Sequence, residues 1–199
     1  SHYDYWSNTV RRSILLDSKA DLLMYGMGEH SILEIAAKLR EGIPARQIRG
    51  VRGTVWYTSK AEELPENAIT LPSYAEISKN TDESKRLFAE SYLIQEQNTD
   101  TINGKILIEP IDSRFIVQEK AAFPLTTAEF DAIYELPFTR RWHPMYDKPA
   151  ENGKTGIPAL SEVQFSLVSS RGCFGACSFC AITFHQGRRI QARSHESLL

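Results

Sequence analysis

The chain has 199 residues, of which 42% are hydrophobic and 24% charged, with a formal net charge of −2. That length can bury one large core or two small ones, and the near-neutral balance excludes a global basic field for nucleic acid and an acidic tail. No apolar run approaches the roughly 20 residues of a membrane span. The opening residues, Ser1-His2-Tyr3-Asp4-Tyr5-Trp6, form neither a secretory nor a transit signal. The missing initiator methionine suggests a piece excised from a longer protein.

In chain order, residues 20–26 read as a buried strand ending at a glycine, and Gly26-Met27-Gly28-Glu29 as a tight turn. From Glu29 to Arg40, Ile32, Ile35, Ala36 and Leu39 recur at helical spacing, with Lys38 and Arg40 near the end and Gly42 as the stop. Strand, turn and helix together make one βα unit of a layered α/β fold. Residues 53–58 are β-branched and aromatic and predict a strand. Leu71-Pro72-Ser73-Tyr74 reads as a turn. A helix follows from Asp82, the candidate N-cap, through Leu87, Phe88, Tyr92 and Leu93 to the region of Gln97. Residues 105–109 and 114–118 are two short strands around Pro110-Ile111-Asp112-Ser113 that pair as a hairpin. Thr127 caps a short helix carrying Phe130, Ile133 and Tyr134. The stretch 139–158 is rich in proline and glycine and poor in apolar residues, and so reads as a linker. Residues 162–169 alternate polar and apolar and predict a strand leading into the next feature. No internal repeat or low-complexity segment is present.

That feature is Arg171-Gly172-Cys173-Phe174-Gly175-Ala176-Cys177-Ser178-Phe179-Cys180, which holds all three cysteines of the chain. An odd number at tight spacing argues against a disulfide framework and for a reducing cytoplasm. Three thiolates this close can grip one metal centre and leave part of it open. Iron–sulfur clusters are held by cysteine thiolates, and a four-iron cluster usually takes four. With three, one iron stays without a protein ligand, and open positions are where metals do chemistry. Gly172 and Gly175 let the backbone wrap a bulky centre, and Phe174 and Phe179 can shield it, which tunes its potential. The spacing alone also admits a structural Cys3His zinc site, with His185 five residues after Cys180. Such a module would serve nucleic-acid or protein interaction, or structure alone.

The Cys173-x3-Cys177-x2-Cys180 spacing, with aromatic Phe179 before the last cysteine and a strand before the first, resembles the radical S-adenosyl-L-methionine (SAM) superfamily. The resemblance implies a 4Fe-4S cluster held by Cys173, Cys177 and Cys180, with Phe179 near the adenine of SAM. It implies a loop that follows the first strand of a (β/α)-type barrel, with SAM chelating the fourth iron. One electron then cleaves SAM to methionine and a 5′-deoxyadenosyl radical that abstracts hydrogen from an unknown substrate. A flavodoxin or ferredoxin would be the electron donor. Longer stretches are similar to the YgiQ-type radical SAM proteins: His2-Tyr3-Asp4-Tyr5-Trp6, Val10-Arg11-Arg12-Ser13-Ile14-Leu15-Leu16-Asp17-Ser18-Lys19-Ala20-Asp21, Tyr25-Gly26-Met27-Gly28-Glu29 and Cys180-Ala181-Ile182-Thr183-Phe184-His185-Gln186-Gly187-Arg188.

That resemblance implies a layered, Rossmann-like partial N-terminal α/β domain at 1–138, a linker at 139–160, and at 161–199 the first strand and cluster loop of a truncated (β/α) barrel. The last segment is far shorter than the roughly 250 residues of a (β/α)8 barrel. The expectation is therefore that this chain alone folds mainly as the N-terminal part, supports the cysteine segment poorly and does not turn over SAM. The βα unit at Gly26-Met27-Gly28-Glu29 also resembles the end of the domain preceding the barrel in cobalamin-dependent radical SAM enzymes, although no Asp-x-His-x-x-Gly signature is present. As a phosphate cradle this turn lacks its third glycine, because Ser31 stands there. Arg188, Arg189 and Arg193 with His185 form a local basic patch, read as a solvated helix start. Trp6, Trp56 and Trp142 are read as core or interface anchors.

Overall fold

A computed structural model describes residues 1–149, 151 and 153–199 of the chain. The elements run β1 (His2–Asp4), β2 (Thr9–Arg11), α1 (Ile14–Asp17), β3 (Leu23–Met24), α2 (Glu29–Arg40), β4 (Thr54–Thr58), β5 (Ile69–Thr70), α3 (Tyr74–Ile77), α4 (Asp82–Gln97), β6 (Leu107–Ile111), β7 (Arg114–Gln118), α5 (Thr127–Tyr134), α6 (Leu160–Val163), β8 (Ser170–Arg171), α7 (Ile182–Gln186), β9 (Gln191–Ala192) and α8 (His195–Leu198). They form two compact units, residues 1–124 with 173–189, and residues 125–172 with 190–199.

The first unit is built on a five-stranded sheet of order β3-β4-β7-β6-β5. Its centre is the β6–β7 hairpin, closed by Asp112 and Ser113 with Ile111 opposite Arg114. Asp112 takes the positive φ of 52° that the reversal requires, a conformation aspartate tolerates better than most residues. Strand β6 runs through Pro110 to Ile111, so the proline lies in the strand and the turn is shorter than expected. The sheet is mixed. Only β5 and β6 are parallel, while β3–β4, β4–β7 and β6–β7 are antiparallel. This corrects the Rossmann-like expectation. β3 pairs antiparallel with β4, so α2 between them does not make the parallel crossover of a βαβ unit. The strand expected at 20–26 is reduced to the two-residue edge β3. Among the described residues no closed barrel is formed.

The two sheet faces differ. On one, Trp56, Ile108 and Val117 are buried together, with Leu22, Leu64 and Phe115 packed around them. On the other, Leu15 of α1 packs on Ile111 and Ile116. Alternation along β4, β6 and β7 sends neighbouring residues to opposite faces, which is why a continuous apolar run such as Ile106-Leu107-Ile108 serves both. Helix α2 has the expected bounds and stops at Gly42, whose φ is +83°. Its contact face is narrower than the spacing implied. Ser31 and Ile35 are buried, whereas Ile32 and Leu39 are each 48% exposed. Helix α4 is capped by Thr81 rather than Asp82, because the Thr81 hydroxyl accepts from the Ser84 N–H. Helix α5 is likewise capped by Thr126 rather than Thr127, with Glu129 completing a capping box.

In the second unit Phe130 of α5 is fully buried. It meets Tyr134 edge-on at 5.0 Å and the Arg171 guanidinium at 4.5 Å. The expected linker 139–160 includes residues 150 and 152, which lie outside the described residues. Its described part carries a short 3-10 turn at Pro144–Asp147 and a Trp142 Nε1–H···Oδ1 Asp147 bond of 2.8 Å. The strand expected at 162–169 is not formed. Residues Leu160–Val163 are helical, and only Ser170–Arg171 pairs, antiparallel to Gln191–Ala192. Val163, Phe165 and Leu167 are exposed at 58%, 81% and 58%. Alternation makes a strand only where a neighbour shares its ladder bonds, and among the described residues only Ser169, at the end of the segment, takes one, its carbonyl accepting from the Arg193 N–H at 3.0 Å. No helix among the described residues is long and apolar enough to cross a membrane.

Candidate metal centre

The cysteine loop leaves β8 through Gly172 at φ +88° and closes on itself before α7. The Cys173 N–H donates to the Gly187 carbonyl at 3.1 Å, tying the two ends of the segment together. Thr183 is buried, and its hydroxyl donates to the Cys173 carbonyl at 3.4 Å. The Cys180 N–H donates to the Cys177 carbonyl at 3.0 Å, making a tight turn between the last two cysteines. Ala176 has a φ of +46°, an uncommon conformation for a residue with a side chain.

The three thiols are free, with Cys177 exposed and Cys173 and Cys180 half-buried. Two of them converge on Gly175. Its N–H donates to the Cys173 sulfur at 3.4 Å, and a β-carbon at Gly175 would stand 3.3 Å from Cys173 Sγ and 3.7 Å from Cys177 Sγ. The glycine therefore keeps open the space between two soft donors. The donor chemistry suits a thiophilic metal or an iron–sulfur cluster. The gathering is incomplete, however. Among the described residues no group of three Cys, His, Asp or Glu side chains is drawn together tightly enough to hold a metal ion. Cys180 does not complete the pair, and His185 does not convert the set into Cys3His. Phe174 and Phe179 are 79% and 90% exposed, so neither ring shields the sulfurs.

Contacts that the sequence pattern did not suggest anchor the segment to the first unit. Phe184 of α7 meets Tyr92 of α4 at 6.4 Å between ring centroids, and Arg188 forms an ion pair with Glu96. Gly26 lies beneath the end of α7, where a β-carbon would be 3.7 Å from the His185 carbonyl oxygen. The glycine turn at 26–28 thus serves as a floor for this segment. The Asn103 N–H, chiefly, together with the Ile102 N–H and the positive charge of Arg189, holds the Asp100 carboxyl below the usual carboxylate range. Arg188 and Arg189 therefore face acids at the end of α4, while Arg193, in the second unit, lies over Tyr134 and bonds Ser197. The signal for Tyr92 was its place on the apolar stripe of α4. Nothing local in the sequence pointed to Glu96 or Thr183.

A family model described as Radical SAM N-terminal matches residues 1–166. The chain belongs to the radical SAM N-terminal family. Over all 199 residues this family member is 48% identical to a UPF0313 protein of Clostridium botulinum (strain ATCC 19397 / Type A) and 45% identical to a UPF0313 protein of Clostridium perfringens (strain 13 / Type A). In both cases the whole of this chain is covered, but only 29% of the relative's length. The cysteine loop lies past the end of the matched family segment and within the span aligned to these relatives. No solved structure matches the chain.

Proposed function

We propose that this chain is part of a YgiQ-type radical SAM enzyme, with the N-terminal domain at 1–138, a linker at 139–160 and the start of the catalytic domain at 161–199. Cys173, Cys177 and Cys180 would hold a 4Fe-4S cluster, Phe179 would lie near the adenine of S-adenosyl-L-methionine, and the protein would work in the cytoplasm with a flavodoxin or ferredoxin as donor. The observation that carries this reading is the pair of free sulfurs converging on Gly175, in a chain whose family is that of the radical SAM N-terminal domain. When bound, such a cluster supplies one electron to SAM, whose reductive cleavage gives methionine and a 5′-deoxyadenosyl radical.

The residues of the chain contribute position. Thr183 and Gly187 fix the backbone of Cys173. Gly175 leaves the space that a larger side chain would fill. The turn from Cys177 to Cys180 is short enough to swing the third thiolate toward the other two. Phe179, exposed among these residues, is available to cover a bound ligand.

The test is metal and acid-labile sulfide analysis of the full-length protein after anaerobic reconstitution with iron and sulfide. About four irons and four sulfides per chain are expected, with loss of both on replacing any of the three cysteines by alanine. One zinc without sulfide overturns the reading in favour of a Cys3His module. Unchanged metal content in the alanine variants overturns both. The 199-residue chain alone is expected to form no 5′-deoxyadenosine, because no closed barrel stands among its described residues.

A further inference from the structure

Helix α4 ends on an acid that its own dipole disfavours. Its last turn reads Ile94-Gln95-Glu96-Gln97, with no lysine or arginine in it. The C-terminal end of a helix carries partial negative charge, so a carboxylate there is repelled unless a cation answers it. Arg188 does so from 92 positions further along the chain. One turn earlier on α4, Tyr92 meets Phe184 at 6.4 Å between centroids, the rings tilted by 51°. Just past the helix, Asp100 lies within reach of the Arg189 charge. One end of α4 therefore grips α7 and the two residues that follow Gly187.

The grip reaches Cys173 through the backbone. The Cys173 N–H donates to the Gly187 carbonyl at 3.1 Å, and the Cys173 carbonyl accepts from the Thr183 hydroxyl at 3.4 Å. Thr183 directly precedes Phe184, and Gly187 directly precedes Arg188. Each tie to Cys173 thus sits beside a side chain that α4 holds. Cys177 and Cys180 are tied to each other instead, by the Cys180 N–H on the Cys177 carbonyl at 3.0 Å. Helix α4 belongs to the segment that the family model matches, and the cysteine loop lies past its end. We propose that Tyr92 and Glu96 are positioning residues for Cys173: through Phe184 and Arg188 they hold the first thiol of the loop in place and leave Cys177 and Cys180 to close around a bound centre. The part this thiol plays toward a 4Fe-4S cluster rests on the function proposed above, while the positioning itself does not.

The test is timed iodoacetamide alkylation of the metal-free full-length protein, read cysteine by cysteine by fragment-ion mass spectrometry, with the urea midpoint as a check on the fold. Glu96→Gln keeps the shape of the side chain and removes its charge. It should speed alkylation of Cys173 about two- to fivefold, the scale of one exposed ion pair, and leave Cys177 and Cys180 at their parent rates. Tyr92→Ala should speed Cys173 by up to about tenfold, the scale of one aromatic pair. Glu96→Arg combined with Arg188→Glu rebuilds the ion pair with the helix dipole now in its favour. That double variant should return Cys173 to the parent rate, whereas Glu96→Arg alone should not. An unchanged Cys173 rate in a folded Glu96→Gln protein overturns the proposal. So does acceleration of all three thiols together, the mark of a generally loosened fold, and so does a swapped pair no better than Glu96→Arg alone. A parent protein that takes up no iron and sulfide on reconstitution would sink the cluster reading alone, because the thiol rates are measured without metal.

Discussion

The central sheet and the cysteine loop of the first unit satisfy their polar groups in opposite ways. In the sheet almost everything is closed. Trp56 is 2% exposed, its Nε1 is bonded to Glu119, and the Arg49 guanidinium lies 4.1 Å from the ring. In the loop the backbone is tied at Cys173, but among the described residues the sulfurs keep their lone pairs apart from one weak N–H contact from Gly175 to Cys173, and the flanking rings face water. Closed groups give stability, because each unsatisfied buried polar atom costs free energy. Open donors give a site, because a metal can bind only to lone pairs the protein has not used. Glu109 is the exception within the sheet, a buried group whose Oε1 has no hydrogen-bond partner among the described residues.

The strongest way to break the comparison is at Trp56. Trp56→Ala removes a fully packed indole and one partner of Glu119, and should cost about 3–5 kcal/mol. Urea denaturation of the first unit measures it. A loss under about 1 kcal/mol, the scale of a surface change, would mean that the sheet is not the closed element described. Gly53→Ala comes next. Gly53 has a φ of +72°, and a β-carbon there would stand 2.9 Å from Ser31 Oγ and 3.1 Å from the Ala122 β-carbon. Ser31 cannot swing away freely, because its hydroxyl donates to the Arg52 carbonyl at 2.6 Å. Strain and crowding together should cost about 2–4 kcal/mol. A melt unchanged from the parent chain would show that the 52–54 corner is softer than its contacts imply.

The same division explains what the sequence made legible. Helices α2 and α4 and the β6–β7 hairpin were readable because their signals are local, with caps, glycine stops and periodicity lying within a few residues. Cys173, Cys177 and Cys180 stood out for the same local reason, since donor type and spacing sit on the chain itself, but among the described residues only the Cys173 and Cys177 sulfurs converge, on Gly175. Sheet order was not, because β3 next to β4 and β4 next to β7 are choices made between segments far apart in sequence, as where Val55 pairs with Gln118. The strand expected at 162–169 failed for the complementary reason. Alternation at Val163, Phe165 and Leu167 states which side would be apolar, but not whether a neighbour exists to pair with. Glu109 was hidden in plain alternation, as an inward position between Leu107 and Ile111 occupied by an acid.

Thr183→Val sharpens the comparison at the loop. The substitution keeps the shape and removes the hydroxyl that donates to the Cys173 carbonyl. About 1 kcal/mol of local support is at stake. The expected signature is a several-fold faster loss of iron from the reconstituted full-length protein, with the urea midpoint of the sheet unchanged. Thr183→Ser should restore retention. If valine lowers the urea midpoint and leaves iron retention alone, Thr183 belongs to the core rather than to the site.

The smallest effect is a pH dependence at the turn that meets the loop. Asp100 accepts from the Asn103 N–H at 2.7 Å and the Ile102 N–H at 3.0 Å, and these bonds, with the charge of Arg189, hold its carboxyl below the usual range. A carboxyl depressed in the folded state contributes stability that is present above its unfolded value of about 3.9 and is lost as pH falls through the folded value. The turn should therefore loosen only below about pH 4, with the Ile102 and Asn103 amide signals broadening or shifting together. Its exposure to water makes this a local change rather than a global one. Asp100→Asn keeps an acceptor oxygen but has no charge to lose, so its two amide signals should stay flat across the same range. Identical titrations in the two chains would show that the turn is held by Gly104, whose N–H donates to the Asp100 carbonyl at 3.0 Å, and not by the carboxylate.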